Sequence, residues 1–441
     1  MFCKKIAPLS VFVMLFVFLT ACQKKEFRPL AFETATQEDT LEEQQAPQEL
    51  RIGILLPLSG SASKLGDAMR QAAVLAQFEF GGDHLILQFY DTKGTPEGAK
   101  MAAYRALEEK SRVFIGPVFS KEVEAVGQIA LDYQIPVLSF TSDISVLSLG
   151  VWTTGLSPED QVRRIISYAC EQGKRKLAVM YPSTPSGELS LSAAEKSAQS
   201  CEGMEIVRSV SYAAGTINFD PAVVKLVSRD IVNFLNKKES EKTPEEVLMA
   251  AEFVGPPLEK VPMSNLLDFD ALFIADDGNR LKSVASLLSF YDVTAKVVPF
   301  LGSSLWQDES LSQETALIGG LFPSLTQNGY KAFVKKYEEA YGEKPLALSG
   351  YAYESVALVS MLSKKAEEEK KSFEEILLNP NGFKGIYGLF RLLPNGQVER
   401  MMNISRILPR GRFQIIQTAP VAFPKPEEEE PILEEESSLS E

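Results

Sequence analysis

An α/β fold with two lobes, each a doubly wound and mostly parallel sheet, is what this sequence predicts. Three observations predict it. Short apolar runs of strand length alternate with longer stretches of helical periodicity. The alternation comes in two series, separated near Thr153 to Ser157. The central region, about 370 residues once the polar ends are set aside, is long enough for two domains.

The first run, Ile52–Leu58, breaks at Ser59-Gly60 and leads into an apolar-periodic stretch, the strand–turn–helix opening of a βαβ unit. Strands are expected at Ile52–Leu56, Leu85–Asp91, Val113–Gly116 and Pro136–Phe140. Helices are expected at Gly66–Phe80, Thr95–Lys110, Lys121–Tyr133 and Ile144–Leu147. The second series runs helix Pro158–Glu171, strand Leu177–Tyr181, helix Gly187–Cys201, strand Glu205–Tyr212 and helix Pro221–Phe234. It continues with strand Ala271–Ala275, helix Gly278–Tyr291 and strand Val297–Gly302. After Gly319-Gly320 the chain is expected to return to the first lobe with helices Tyr330–Tyr341 and Ser349–Lys370. Pro394-Asn395-Gly396 between Tyr387–Leu393 and Val398–Ile407 is a hairpin signal.

The ends differ from this body. Lys4 and Lys5, an apolar Leu9–Leu19 and Leu19-Thr20-Ala21-Cys22 read as a lipoprotein signal (1–21), cleaved before a lipidated Cys22. The apolar run is short for a membrane span. Loss of the two lysines leaves 43 basic against 59 acidic residues, net −16. Gln23 follows Cys22, which by analogy with enterobacterial sorting favours the outer membrane over the inner. Residues 22–49 are polar and lack a period, so they read as a disordered tether. Residues 240–262 interrupt the second lobe as an insertion, a tolerated surface loop or one that binds a partner. Residues 418–441 carry eight Glu against Lys425 and read as an acidic disordered tail, a solvated end or a partner-binding one.

Catalytic constellations are lacking. The sole histidine, His84, excludes His-based metal clusters and makes a Ser/His triad untenable. Ser61-Ala62-Ser63-Lys64 matches S-x-x-K, but Ser142-Asp143-Ile144 and Lys242-Thr243-Pro244 fail as its companions. No enzyme, cofactor or metal is expected. The acidic balance argues against nucleic acid. Cys170 and Cys201 end successive helices, and either a disulfide or two free thiols fits the sequence.

The order of Ile52–Gly60 (IGILLPLSG), Tyr90–Thr92 (YDT) and Ile115–Val118 (IGPV) resembles the first lobe of type I periplasmic binding proteins of the leucine-binding kind. Within that superfamily LPLSG, GPV, Leu156–Asp160 (LSPED) and Phe269–Asp276 (FDALFIAD) look most like the penicillin-binding-protein activator lipoproteins. The resemblance spans Leu50 to Gln417. It implies lobe 1 from 50–153 and 304–380, lobe 2 from 154–303 and 381–417, and three crossings acting as a hinge. It implies a non-enzymatic envelope lipoprotein regulating peptidoglycan synthesis through a penicillin-binding protein. The alternative is a receptor presenting an amino acid or similar solute to an ABC permease.

Ligand-facing candidates lie at the carboxyl ends of strands. They are Ser59, Gly60, Ser120, Ser139, Thr141 and Ser142 in the first lobe, and Ser186, Asp276 and Asp277 in the second. Hydroxyls and helix-start amides suit a carboxylate. The resemblance gives Ser120 and Ser139–Thr141 that role, places Asp276 or Asp277 near the ligand amine, and puts Ser186 near a position where amino-acid receptors use tyrosine. Plain helix capping explains Ser, Thr and Asp at each of these places equally well.

Overall fold

A computed structural model describes residues 49–82, 85–227 and 267–424. The signal, the tether, Cys22, His84, the insertion and most of the acidic tail lie outside the described residues.

The first sheet takes β1 (Leu50–Leu56), β2 (Leu85–Asp91), β3 (Val113–Ile115), β4 (Val137–Ser139) and β5 (Val151–Thr153) in the order β2-β1-β3-β4-β5, all parallel. β1 lies between β2 and β3 and is buried on both faces, which is why it reads as an unbroken apolar run. Helices α1 (Ser63–Ala76), α2 (Pro96–Glu108) and α3 (Ser120–Tyr133) follow β1, β2 and β3. Gly66 is required where α1 crosses the end of β1, since a Cβ there would lie 2.2 Å from the Pro57 carbonyl oxygen. α1 begins earlier than expected and ends in a π turn, Gln77–Gly81. β5 escaped the sequence reading because three residues carry no period, and Ile144–Leu147 forms only a 3₁₀ turn, Ile144–Val146.

The second sheet contains β6 (Lys176–Pro182), β7 (Glu205–Tyr212), β8 (Ala271–Ile274), β9 (Phe300–Leu301) and β10 (Leu321–Ser324), joined later by β14 (Asn403–Leu408) and β15 (Arg412–Gln417). Its order is β15-β14-β10-β9-β8-β6-β7, parallel except where β14 meets its two neighbours. α4 (Pro158–Glu171) and α5 (Pro185–Gln199) cover one face; α6 (Asp220–Val227), α7 (Gly278–Phe290) and the turns around Trp306 and Leu311 cover the other. Cys170 and Cys201 are disulfide-bonded with Cα atoms 6.2 Å apart, closing a 31-residue separation. Loop entropy makes such a bridge worth about 3–4 kcal/mol.

The remaining helices, α8 (Gln327–Tyr341), α9 (Ser349–Glu369) and α10 (Phe373–Leu377), and a small antiparallel sheet, β11 (Phe383–Gly385), β12 (Gly388–Leu392) and β13 (Val398–Arg400), pack on the α1 face of the first sheet.

Two expected boundaries move. The chain does not return to the first lobe at 304, because β10 is buried throughout and needs β9 and β14 beside it. Nor does 381–417 belong wholly to the second lobe. Phe383, Phe390, Leu392 and Val398 join the first lobe's core, and only β14 and β15 enter the second sheet. The hairpin around Pro394-Asn395-Gly396 forms as expected between β12 and β13. Its expected long second strand breaks at Met401-Met402, where the chain changes lobes.

The crossings therefore lie after β5, after β10 and between β13 and β14, and they touch one another. Asn403 Nδ2 donates to the Leu325 carbonyl at 3.3 Å, and Arg400 Nη2 to the Thr154 carbonyl at 3.0 Å. Thr153 N–H donates to Gly396 O at 2.8 Å and Trp152 Nε1 to Leu393 O at 3.0 Å, so the hairpin turn closes the edge of β5. Gly396 suits the turn, with φ +84° and the Val151 carbonyl 2.4 Å from where a Cβ would stand.

At the centre of the crossings Arg400 meets Glu354 of α9, their side chains 1% and 5% exposed. The guanidinium carbon lies 4.6, 5.3 and 5.8 Å from the ring centres of Phe390, Tyr351 and Tyr387. Removing one member of a buried pair strands the other charge. Arg400→Ala is expected to cost roughly 3–5 kcal/mol in urea unfolding. Arg400→Met combined with Glu354→Met should recover most of that loss. Equal losses in the single and double variants would show that the pair is not what holds the crossings.

Candidate functional site

The carboxyl ends of β1, β2, β3 and β4 carry the first-lobe loops that the sequence singles out. Asp91 organises the first of them. Its Oδ1 accepts from the backbone N–H of Leu58 (2.9 Å), Ser59 (3.1 Å) and Lys93 (2.8 Å), and its Oδ2 from the Ser59 hydroxyl (2.6 Å). Burial would raise this carboxyl, but the Ser59 hydroxyl and those amides hold it below the ordinary Asp value. The LPLSG and YDT stretches are thus two halves of one loop clasp. Ser59 has its hydroxyl proton engaged, and Gly60 supplies a φ of +80°.

Ser120 and Thr141 come together, their hydroxyl oxygens 3.2 Å apart, beside the amino end of α3. First-turn amides there have no intrahelical acceptor. Glu122 Oε2 takes the Phe119 N–H at 3.1 Å, and burial pushes the Glu122 carboxyl up. Thr141 Oγ1 also accepts the Asp143 N–H at 3.0 Å. Ser142 is exposed beside this pair. Ser139 differs from its expected role. It is fully buried and its hydroxyl donates to the Trp152 carbonyl at 3.1 Å, tying β4 to β5 and leaving nothing for a ligand.

In the second lobe Asp276 is at the end of β8 with its side chain wholly buried. Oδ1 accepts from Asp277 N–H (2.8 Å) and from Arg280 Nε (3.1 Å) and Nη2 (2.8 Å), and Oδ2 accepts from the Tyr212 hydroxyl. Trp306 Nε1 donates to the Asp276 carbonyl at 2.9 Å, fixing the loop after β9 against it. Four donors already reach this carboxylate, so Asp276 serves the protein's own loop, and of the two residues expected near a ligand amine only Asp277 is exposed. Asp277 is exposed; partial burial and the adjacent Asp276 charge push its carboxyl up, and Arg280 opposes them. Ser186 is exposed in the first turn of α5, which Thr184 caps by accepting the Gly187 N–H at 3.1 Å. Among the described residues no cluster of three or more His, Cys, Asp or Glu is placed to hold a metal, and no helix is long and apolar enough to cross a membrane.

Arg280, Tyr212 and Trp306 were missed by sequence reasoning. Arg280 had a signal, since it follows Asp276 by one helical turn. Tyr212 reaches the site from β7 and Trp306 from the turn after β9, so no local spacing reveals them.

The LSPED stretch is at the first crossing. The Ser157 hydroxyl accepts the Asp160 N–H at 3.4 Å, Arg163 pairs with Asp160 at 2.6 Å, and Arg163 reaches Glu399 of β13 at 3.1 Å.

The sequence profile of the family described as periplasmic binding proteins matches residues 49–412. The chain belongs to the periplasmic binding protein family. Three solved structures share its fold. A putative branched-chain amino acid ABC transporter protein of Rhodospirillum rubrum is 18% identical, covers 83% of this chain and 100% of its own, and superposes with a TM-score of 0.66. A solute-binding protein of an ABC transporter from R. palustris in complex with benzoate is 18% identical over 86% of this chain and 98% of its own, TM-score 0.52. A branched-chain amino acid substrate-binding protein of Streptococcus pneumoniae in complex with isoleucine is 18% identical over 85% and 100%, TM-score 0.52. A search of curated proteins returned no match.

Asp160 gives a pH test of the first crossing. Burial raises its carboxyl from 3.8 to about 6, the Glu399 charge adding to this and Arg163 opposing it. The native state then holds a proton that the unfolded chain has released, so stability falls as pH rises from about 4 to about 6. Asp160→Asn should remove that fall, which is on the order of 2–3 kcal/mol in all. Parallel stability–pH curves for the two proteins would refute the assignment.

Proposed function

We propose that the protein is the solute-binding receptor of an ABC-type uptake system and that its lobes close on a small organic carboxylate. Membership of the periplasmic binding protein family and the ABC solute-binding identity of its structural relatives support this reading and a periplasmic setting. The observation that carries it is the Ser120–Thr141 hydroxyl pair at the amino end of α3, together with a second-lobe acid, Asp276, already bonded by its own protein. The first lobe offers donors to an anion. In the second, the Asp276 carboxylate is already paired with Arg280, whose charge also offsets that of the exposed Asp277. The favoured ligands are therefore carboxylates without an ammonium group, ahead of amino acids. The molecule binds and does not react, and in this reading lipid at Cys22 keeps it at the membrane surface where a permease can be met.

Regulation of a penicillin-binding protein rests on LPLSG, LSPED and FDALFIAD. In the fold these stretches clasp a loop, cap a helix at the crossing and form β8, roles that need no partner. The receptor reading is preferred for that reason.

The test is thermal unfolding of the full chain with amino acids, aliphatic and aromatic carboxylates, and muropeptides. A saturable rise with a carboxylate is expected. Changing both Ser120 and Thr141 to Ala should then weaken binding roughly 10- to 100-fold, the scale of hydrogen bonds to a charged group. No rise with any of them would refute the receptor reading. A rise with muropeptides alone would restore the peptidoglycan one.

A further inference from the structure

A groove lies on the first lobe away from the residues assigned to the ligand cleft. A cavity of about 480 Å³ is lined by the π turn, α8, α9 and β11, and includes Phe80, Phe333, Met361 and Lys384. A second of about 410 Å³ continues it along α9 past Lys364 and Lys365. Phe80 is 38% and Met361 47% exposed in this groove.

The frame around these side chains is firmly tied. Glu79 receives Lys336 Nζ and the Tyr353 hydroxyl, the latter at 2.6 Å. The Phe80 carbonyl accepts from the Ser360 hydroxyl at 2.6 Å and Lys364 Nζ at 3.3 Å. The apolar surface is thus held open by polar bonds behind it, a preformed site with no occupant of its own.

The chain itself supplies a suitable occupant. Phe423 is 8% exposed, with the Arg391 guanidinium 4.3 Å from its ring centre and Gly382 against its edge. Gly382 immediately precedes Phe383 and Lys384, which line the groove. The chain therefore leaves the described fold at the groove's rim, with 425–441 still to follow. That segment has one adjacent apolar pair, Ile432-Leu433, with Glu427–Glu430 before it and Glu434–Glu436 after it. The eight residues from Pro424 to Ile432 reach roughly 26–29 Å when extended. The groove is apolar along its floor, and its sides carry Lys336, Lys364, Lys365 and Lys384 together with Glu79, Glu354, Glu368 and Glu369. Lys336 pairs with Glu79 and Lys365 with Glu369, so Lys364 and Lys384 are the cations that face an apolar pair between acidic runs.

We propose that this groove docks the protein's own C-terminal segment, Lys425–Glu441, with Ile432 and Leu433 against Phe80 and Met361. Docking covers the exposed apolar surface of the first lobe and gives the acidic segment a defined site outside the ligand cleft.

The test uses the full chain labelled at methionine methyls, with Met361 assigned through Met361→Leu. Three proteins are compared: the full chain, a chain ending at Pro424, and the full chain carrying Ile432→Asp and Leu433→Asp. Neither change touches the described fold, so all three should fold, with the two altered proteins unfolding at or slightly below the temperature of the full chain. The Met361 methyl signal is expected to move in both altered proteins, and the buried Met69 signal to stay. In the full chain, raising the salt to 1 M should shift Met361 toward its position in the shortened chain. An unchanged Met361 signal across the three proteins would overturn the proposal. A Met361 signal in the full chain that reverts on dilution would assign the groove to the tail of a second copy and overturn docking within one chain.

Discussion

One buried charge pair anchors the first-lobe end of the crossings. Arg400 stands where the third crossing leaves the first lobe, and Glu354 stands in the second turn of the longest described helix. Three aromatic rings surround the guanidinium, and one of its nitrogens also reaches the Thr154 carbonyl on the first crossing. A lone buried charge is costly, so Arg400 holds its place only while α9, the small antiparallel sheet and the first crossing are assembled around it.

Around this centre the polar groups fall into two kinds. Asp91, Ser139 and Asp276 have the residue types expected of ligand contacts, yet each is engaged by its own protein: Asp91 by the Ser59 loop, Ser139 by Trp152, Asp276 by Arg280 and Tyr212. Ser120, Thr141 and Ser142 stay at the carboxyl edge of the first sheet, with the amides of α3 beside them. In the proposed reading, the asymmetry between a donor-rich first lobe and an already bonded second-lobe acid is what favours an anion over a zwitterion as ligand. Residue type alone does not draw that distinction; the number of donors already on each oxygen does.

The strand–helix alternation was legible in the sequence because parallel strands buried on both faces become continuous apolar runs, as in β1 and β8, and the helices between them carry period and caps. The Asn-Gly hairpin was legible for the same local reason. β5 was not, since three residues carry no period, and β9 was overcalled because its flanking apolar residues pack as coil.

By itself the sequence determined the fold class, the two series of units, the hairpin turn and the Ser120–Thr141 neighbourhood, all consequences of local pattern. Tertiary structure alone decided that β10 stays in the second sheet, that Phe383 to Arg400 packs on the first lobe, that Cys170 bonds Cys201 and that Asp276 is already bonded by its own protein. Each depends on residues far apart in the chain meeting across a sheet or a crossing. The energy of such a meeting belongs to the pair and leaves no mark on the spacing of either partner.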